Sequence, residues 1–326
     1  MDMQGVTDTL GALFAQSGRV TAVLLSGAPG IGKTACIAAA AAKAHKPVLT
    51  LPLPTMEAVD LRGMPTVIGG RTQWASPLPR DGEGVLILDE VSSAAPDVQV
   101  AAHHLVWAEA GSDMSVPNGW HIVLTGNRAT DKTLYRAMSG PLRNRLLMLN
   151  VEVNPLQWAD WAAQANVHPF VVAFIRWLPD ALMDKEVPAD GAFPSPRAWD
   201  RAGRLLNLAV GPDVERELLA GTVGLAAATK FSAYLEMART LPDIQSILDN
   251  PEKANVPKEP SLRYAITCSL AQYTRCQKVS AMRYVARLPA DFGVVYLREI
   301  RDQFDIRSDA DIREWIGKHK SAFLDE

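Results

Sequence analysis

Near its N-terminus the chain reads Gly27-Ala28-Pro29-Gly30-Ile31-Gly32-Lys33-Thr34. An apolar run of strand length, Ala22–Ser26, leads into this stretch, and an Ala-rich run typical of a helix follows it from Thr34 to Lys46. Glycines in such a turn let backbone N–H groups surround a phosphate, and the following helix directs its positive end toward it. The pattern therefore predicts a phosphate-binding loop in which Lys33 contacts phosphate and the Thr34 hydroxyl holds Mg²⁺.

A second motif is an apolar run that ends in two acids, Leu86-Ile87-Leu88-Asp89-Glu90. Such a run is common by itself. Downstream of a phosphate-binding loop, the first acid is expected to bind Mg²⁺ through water and the second to polarise an attacking water. We therefore predict a metal ligand at Asp89 and a catalytic base at Glu90.

Three further polar motifs follow along the chain. Asn127 comes after the fourth apolar run, where it either orients a water near the γ-phosphate or forms an ordinary Gly-Asn turn. Arg143 and Arg145 either reach into the ATP site of a neighbouring protomer or form a basic pair at the surface. Ser195-Pro196-Arg197 is typical of a helix start, which leaves Arg197 in the first turn, facing phosphate or solvent.

Short apolar runs alternate with helical stretches up to about residue 153. This alternation predicts an α/β fold with a doubly wound, parallel, five-stranded sheet that is covered on both faces. The five predicted strands are Ala22–Ser26, Val48–Leu51, Val85–Leu88, His121–Thr125 and Leu146–Val151. Predicted helices cover residues 7–18, 34–46 and 97–110 of the same region.

Residues 66–74 differ, because two short β-like runs flank Gly69-Gly70. This is a hairpin pattern, which predicts an insertion at about residues 60–80. Its Val67, Ile68 and Trp74 either contact a substrate or pack against the core.

Beyond residue 153 helical periodicity dominates, and strand-like runs disappear. Residues 242–260 are predicted to be a linker along the surface. The predicted helices cover residues 155–165, 168–178, 196–210, 213–236, 261–285 and 289–304.

The composition restricts the function classes. The chain has 326 residues, 48% of them apolar and 21% charged, with a net charge of −3, so it carries no basic excess that would favour nucleic acid. No run approaches 18 apolar residues, and the N-terminus has no signal-peptide pattern, so we expect neither a membrane span nor secretion. Cys36, Cys268 and Cys276 have no paired spacing and are expected to be reduced thiols in the cytoplasm.

The polar elements occur in an order that resembles AAA+ ATPases, which are P-loop NTPases. They correspond to Walker A, Walker B, sensor 1, arginine finger and sensor 2. The sequence is most similar to the MoxR family, in the clade with a helix-2 insert, which the stretch Asp60-Leu61-Arg62-Gly63-Met64-Pro65 and the hairpin resemble. The resemblance rests on Gly27–Thr34, Leu86–Glu90 followed by Val91–Pro96, Gly126–Arg128, Pro141–Arg145 and Ser195–Arg197.

The resemblance implies a site for ATP and Mg²⁺. The metal would lie at Thr34 and Asp89, with Glu90 as catalytic base and Asn127 as sensor 1. Arg145 is favoured over Arg143 as the finger, because the family's Arg-aromatic pair aligns there, although Leu146 replaces the aromatic residue. The residues implied to contact the nucleotide are Gly27, Ala28, Pro29, Gly30, Ile31, Gly32, Lys33, Thr34, Ala35, Asp89 and, as sensor 2, Arg197.

The resemblance also implies an organisation and partners. Residues 1–153 would be the nucleotide-binding domain, 154–240 an all-helical lid and 241–326 a helical extension. A finger acting in trans implies a homo-oligomeric ring, taken as a hexamer. MoxR proteins resemble chaperones that remodel a separate protein, such as one with a von Willebrand factor A domain. Two alternatives stay open, namely a nucleic-acid motor or helicase loader, and a nucleotide-gated scaffold with little turnover.

Overall fold

The computed structural model describes residues 1–107, 115–131, 135–184, 188, 190–208, 210–241, 243–301 and 309–318. The chain divides into two compact units, Met1–Asn154 and Pro155–Glu326. The described residues of the first unit form seven strands: β1 (Ala22–Ser26), β2 (Val48–Pro52), β3 (Met64–Ile68), β4 (Arg71–Ala75), β5 (Gly84–Asp89), β6 (Trp120–Gly126) and β7 (Leu146–Asn150).

Five of these strands form one parallel sheet in the order β2-β5-β6-β1-β7. The central strands β5 and β6 are buried along almost their whole length, as expected of apolar runs covered on both faces. The α/β fold with a five-stranded parallel sheet is therefore confirmed. Each of the five strands lies within one residue of its predicted bounds at either end.

The strands β3 and β4 form a separate antiparallel pair, with Val67 opposite Thr72. The predicted hairpin is confirmed. Val67 and Ile68 are 77% and 59% exposed, so they do not pack against the core, whereas Trp74 is half-buried with the guanidinium of Arg62 4.5 Å from its ring centroid. Contact of this hairpin with a substrate stays a prediction.

Five α-helices accompany these strands in the part of the first unit that the structure describes: α1 (Met3–Phe14), α2 (Lys33–Lys43), α3 (Ala58–Arg62), α4 (Pro96–Trp107) and α5 (Gly140–Arg143). The predicted helix at 7–18 is misplaced, because α1 begins after Asp2, whose side chain accepts a hydrogen bond from Gly5 N, and its last buried residue is Phe14. The predicted end of α4 at residue 110 lies outside the described residues.

The described part of the second unit contains the helices α6 (Pro155–Gln164), α7 (Pro169–Trp177), α8 (Pro196–Leu205), α9 (Pro212–Val223), α10 (Leu225–Ala238), α11 (Ile244–Asp249), α12 (Pro260–Val285), α13 (Ala290–Ile300) and α14 (Ala310–Lys318). The predicted change to helical structure is confirmed. The predicted division at residue 240 stays a prediction.

Three predictions in the second unit are wrong, and the first is the helix at 196–210, which ends at Leu205. The single helix predicted at 213–236 is two helices, because Gly224 has a φ of 82° and a Cβ there would lie 2.6 Å from the Ala192 carbonyl oxygen. The predicted surface linker contains α11, whose Ile247 and Leu248 are buried in a core shared with α12 and α13. Periodicity alone missed α11 because the helix is only 6 residues long.

Candidate functional site

The phosphate loop, Gly27–Thr34, connects β1 to α2. Gly32 is the N-cap of α2 and has a φ of 100°, a left-handed conformation that suits glycine. The Lys33 ammonium folds back over the loop and donates to the carbonyl oxygens of Gly27 and Ala28 at 2.7 and 2.9 Å. It also donates to Asn127 Oδ1 at 3.2 Å. Lys33 therefore joins the loop to the end of β6.

The carboxylate of Asp89 lies at the carboxyl end of β5, next to the phosphate loop. Thr34 Oγ1 donates to Asp89 Oδ1 at 2.9 Å, and Thr125 Oγ1 donates to the same oxygen at 2.5 Å. Both hydroxyls use one carboxylate oxygen, so the second oxygen can turn toward a metal. The predicted metal residues Thr34 and Asp89 are thus brought together.

Glu90 follows with an exposed side chain and an unusual backbone. Its φ and ψ of 59° and 42° are left-handed, which costs a residue other than glycine about 1–3 kcal/mol. Its N–H donates to Thr125 Oγ1 at 2.9 Å. Such a conformation persists where the surroundings impose it, and it is common at active sites.

The turn formed by residues 90–94 is hydrogen-bonded to two other loops. The N–H of Asn127 donates to the buried Ser92 Oγ at 2.8 Å. The N–H of Arg136 donates to the Ser92 carbonyl oxygen at 2.7 Å, and its guanidinium donates to the carbonyl oxygens of Ser93 and Ala94 at 2.9 and 3.1 Å. The turn that carries the predicted base is therefore fixed from both sides.

The two arginine-finger candidates differ in their surroundings. Arg143, at the end of α5, is exposed. Arg145 is half-buried; it donates to the Pro141 carbonyl oxygen at 2.9 Å, and its guanidinium lies 5.1 Å from the ring centroid of Trp107. It also lies 3.4 Å from His103 Nε2, and burial with this positive charge lowers the pKa of His103. Neither arginine joins the cluster around Lys33 and Asp89.

Arg197 lies in the second unit, exposed in the first turn of α8. The predicted helix start is confirmed, because Ser195 is the N-cap and its Oγ accepts a hydrogen bond from Ala198 N at 3.2 Å. The sensor 2 role of Arg197 stays a prediction.

The side chains present suit a nucleotide with Mg²⁺. A carboxylate and a hydroxyl are hard oxygen donors of the type that Mg²⁺ prefers, and they lie beside an ammonium at a helix N-terminus. Ala35, also predicted to contact nucleotide, is exposed in the first turn of α2. The arrangement can hold phosphate, metal and a general base within one edge of the sheet.

Sequence reasoning missed Thr125, Ser92 and Arg136. For Thr125 a signal existed, since a hydroxyl near the end of a predicted buried strand needs a partner. Ser92 and Arg136 carry no such signal, because their partners are backbone groups of loops that come together only in the folded sheet.

The sheet order, the glycine-rich loop after β1 and the acids after β5 define a protein with the P-loop AAA+ fold. More particularly, residues 22–146 match the family model described as the AAA domain of the dynein-related subfamily, so this part of the chain is an AAA domain of the AAA+ ATPase class. AAA+ ATPases bind ATP and typically Mg²⁺, and they commonly assemble into rings.

Two solved structures illustrate what the whole chain is similar to. The RuvB Holliday junction branch migration motor of Thermotoga maritima is 17% identical, with a TM-score of 0.41 over 84% of this chain and 83% of that chain. NtrX from Brucella abortus is 15% identical, with a TM-score of 0.36 over 91% of this chain and 67% of that chain. A search of curated proteins found no match. In the described residues, no helix is both long and apolar enough to span a membrane.

Proposed function

We propose that the chain hydrolyses ATP with Mg²⁺ at the carboxyl edge of its sheet and uses the cycle to remodel a protein partner, as a MoxR-like ring. One observation carries the proposal. Lys33 donates to Asn127 and the adjacent Thr34 donates to Asp89, so two neighbouring loop residues contact the carboxyl ends of both β6 and β5. Glu90 follows Asp89 with a left-handed backbone, and its N–H donates to Thr125.

The proposed reaction is in-line attack of water on the γ-phosphorus of ATP. Lys33 exchanges its contacts with the loop carbonyls for the β- and γ-phosphate oxygens, and Asn127 orients the water. Glu90 accepts the proton as the new P–O bond forms and the bond to the β–γ bridging oxygen breaks, which releases ADP and phosphate. Thr34 and Asp89 would hold the Mg²⁺, which supplies charge neutralisation at the phosphate oxygens.

Assembly into a homo-oligomeric ring, taken as a hexamer, would let Arg143 or Arg145 reach the site of a neighbouring protomer. The motif favours Arg145. Arg143 has the more exposed side chain, whereas Arg145 is held within its own protomer by Pro141 and Trp107. Sensor 2 at Arg197 completes the set of roles that the resemblance implies.

A separate protein, such as one with a von Willebrand factor A domain, is the proposed partner. The hairpin supports a protein rather than nucleic acid, since Met64, Val67 and Ile68 are all more than half exposed. Apolar side chains on a projecting hairpin suit contact with a polypeptide. Single-stranded DNA binding that weakens as salt increases would instead favour a nucleic-acid motor. ATP binding without turnover would favour a nucleotide-gated scaffold.

The experiment separates nucleotide binding from turnover. Lys33→Ala removes the phosphate contact and should abolish measurable ATP binding, whereas Glu90→Gln should bind ATP like the wild type and turn over far more slowly. Lys43→Ala, at the exposed far end of α2, is the matched control and should behave like the wild type. Equal ATP affinity in the wild type and Lys33→Ala would refute the assigned site.

A further inference from the structure

A buried hydroxyl connects the predicted metal ligand to the predicted base. Thr125 is the sixth residue of β6 and is 1% exposed. Ile122, Val123 and Leu124 precede it in the same strand, and all three are fully buried. A polar group in such a place is costly unless it is hydrogen-bonded, so the partners of this hydroxyl reveal its role.

The directions of its two hydrogen bonds are fixed by chemistry. The backbone N–H of Glu90 can only donate, so Thr125 Oγ1 accepts at 2.9 Å. The hydroxyl proton then goes to Asp89 Oδ1, 2.5 Å away, because an ionised carboxylate can only accept. One side chain therefore holds the carboxylate of one residue and the backbone of the next.

Both contacts act on properties that the proposed chemistry needs. Asp89 Oδ1 receives Thr125 and Thr34 together, which restrains the rotation of the carboxylate. The Glu90 N–H is held while its φ is 59°, and this backbone direction sets where its side chain points. Replacing a group behind a metal ligand that orients it typically costs about 10–100-fold in metal affinity or activity.

We propose that Thr125 is a positioning residue of the ATPase site, which orients Asp89 toward the metal and Glu90 toward the attacking water. This inference rests on the proposed function for its consequence in turnover. The positioning itself depends only on the two hydrogen bonds, so it can be measured without turnover.

The turnover test compares Thr125→Val, which keeps the shape and removes the hydroxyl, with Thr125→Ser, which keeps the hydroxyl. Thr125→Val should lower kcat by about 10–100-fold and raise the Mg²⁺ concentration needed for half-maximal rate. Affinity for ATP without metal should change little, because Lys33 is untouched. Thr125→Ser should recover most of the rate.

Thr274→Val is the matched control, since Thr274 is also fully buried and makes two hydrogen bonds, to Leu270 O at 3.0 Å and Tyr296 OH at 2.8 Å. It removes a comparable hydroxyl from the second unit, and its kcat should stay close to that of the wild type. If Thr125→Val does not fold, Thr125→Cys retains the shape with a weaker donor and replaces it.

The second measurement is hydrogen exchange at the Glu90 amide. Exchange should be faster in Thr125→Val than in the wild type and Thr125→Ser, with the rest of β5 unchanged. Unchanged exchange at Glu90, or a Thr125→Val enzyme as fast as the wild type, would overturn the inference. If the wild type itself does not hydrolyse ATP, the proposed function fails, and the exchange result alone decides the role of Thr125.

Discussion

At the scale of single residues, the ammonium of Lys33 lies where it can respond to a ligand. It is shared among the Gly27 and Ala28 carbonyl oxygens and Asn127 Oδ1, at 2.7 to 3.2 Å. Phosphate oxygens carry more charge than these neutral acceptors, so an arriving nucleotide offers stronger hydrogen bonds. Lys33 therefore links occupation of the loop to the position of Asn127.

A different residue of β6 predicts how stability depends on pH. Burial, together with the positive charges of Lys46 and Arg19, lowers the pKa of His121, and this outweighs the opposing effects of Glu83 and the Gln16 backbone. The unfolded chain then binds a proton more readily than the folded chain. The contribution of His121 to the free energy of unfolding is therefore complete above the ordinary histidine pKa of about 6.5 and is lost as the pH falls below that value.

Replacement of His121 by leucine, an apolar residue for an apolar strand, should therefore reduce the loss of stability between pH 7 and pH 5. Urea unfolding at the two pH values measures it. Some acid sensitivity should remain, because burial also lowers the pKa of His103 and of His168. An identical pH dependence in His121→Leu and the wild type would contradict this explanation.

Some residues of the site could be predicted from the sequence, and others could not. The motifs contain Lys33, Thr34, Asp89 and Asn127, because their spacing along the chain reflects a loop or a strand end. In the structure Lys33 contacts Asn127, and the adjacent Thr34 contacts Asp89. The hydrogen bonds of Ser92 and Arg136 depend on which loops a parallel sheet places side by side. No local pattern contains that information.

At the scale of elements, the base of the hairpin β3–β4 is fixed by a glycine. Gly63 ends α3 with a φ of 89° and a ψ of 172°, a region that is essentially restricted to glycine. A Cβ at this position would lie 2.5 Å from the Ala75 carbonyl oxygen at the end of β4. The Ala75 backbone cannot move away as a flexible side chain could. Gly63 therefore fixes the direction in which the chain leaves α3 and enters the hairpin.

Gly63→Ala should consequently destabilise the protein by about 1–3 kcal/mol, through its disfavoured backbone conformation and the contact with Ala75. Thermal or urea unfolding measures the change. Gly11→Ala, in α1 and with open space around the added methyl group, should instead stabilise by about 0.5–1 kcal/mol. Equal effects of the two substitutions would show that the hairpin base is not constrained as described.

Elements were predictable where a strong pattern was long enough. The bounds of the five sheet strands were predicted to within one residue, because a short apolar run between polar residues is typical of a strand that is buried on both faces of a parallel sheet. Helix ends were less accurate, as α1 shows, because an end depends on capping at Asp2 and on the last apolar contact at Phe14. The break at Gly224 depends on its approach to Ala192, which is distant in sequence.

At the scale of the whole molecule, the two compact units each have a core of their own. In the first, apolar residues of the sheet strands pack with those of α3 and α4. In the second, Arg176 is almost completely buried and pairs with Asp160 at 2.8 Å and with Glu299. This buried pairing joins α7 to α6 and α13, so α13 packs within the second unit.

Ring assembly can be tested by mixing inactive protomers. Glu90→Gln lacks the base but can supply a finger, whereas a variant without the finger retains the base. Arg143→Ala and Arg145→Ala should be tested separately, and the one that removes the finger should lose roughly 10³-fold in turnover. Mixed with Glu90→Gln, that variant should exceed the summed rates of the two preparations. Rescue of neither variant would contradict a finger that acts in trans.

The most direct measurement is steady-state phosphate release from ATP by the wild type and by Glu90→Gln, with Mg²⁺ and with a chelator. We expect release by the wild type only when Mg²⁺ is present, and a reduction of about 10²–10⁴-fold in Glu90→Gln. Equal rates in the two proteins, or release that is indifferent to the chelator, would contradict the assignment of this cluster as an ATP-hydrolysing site.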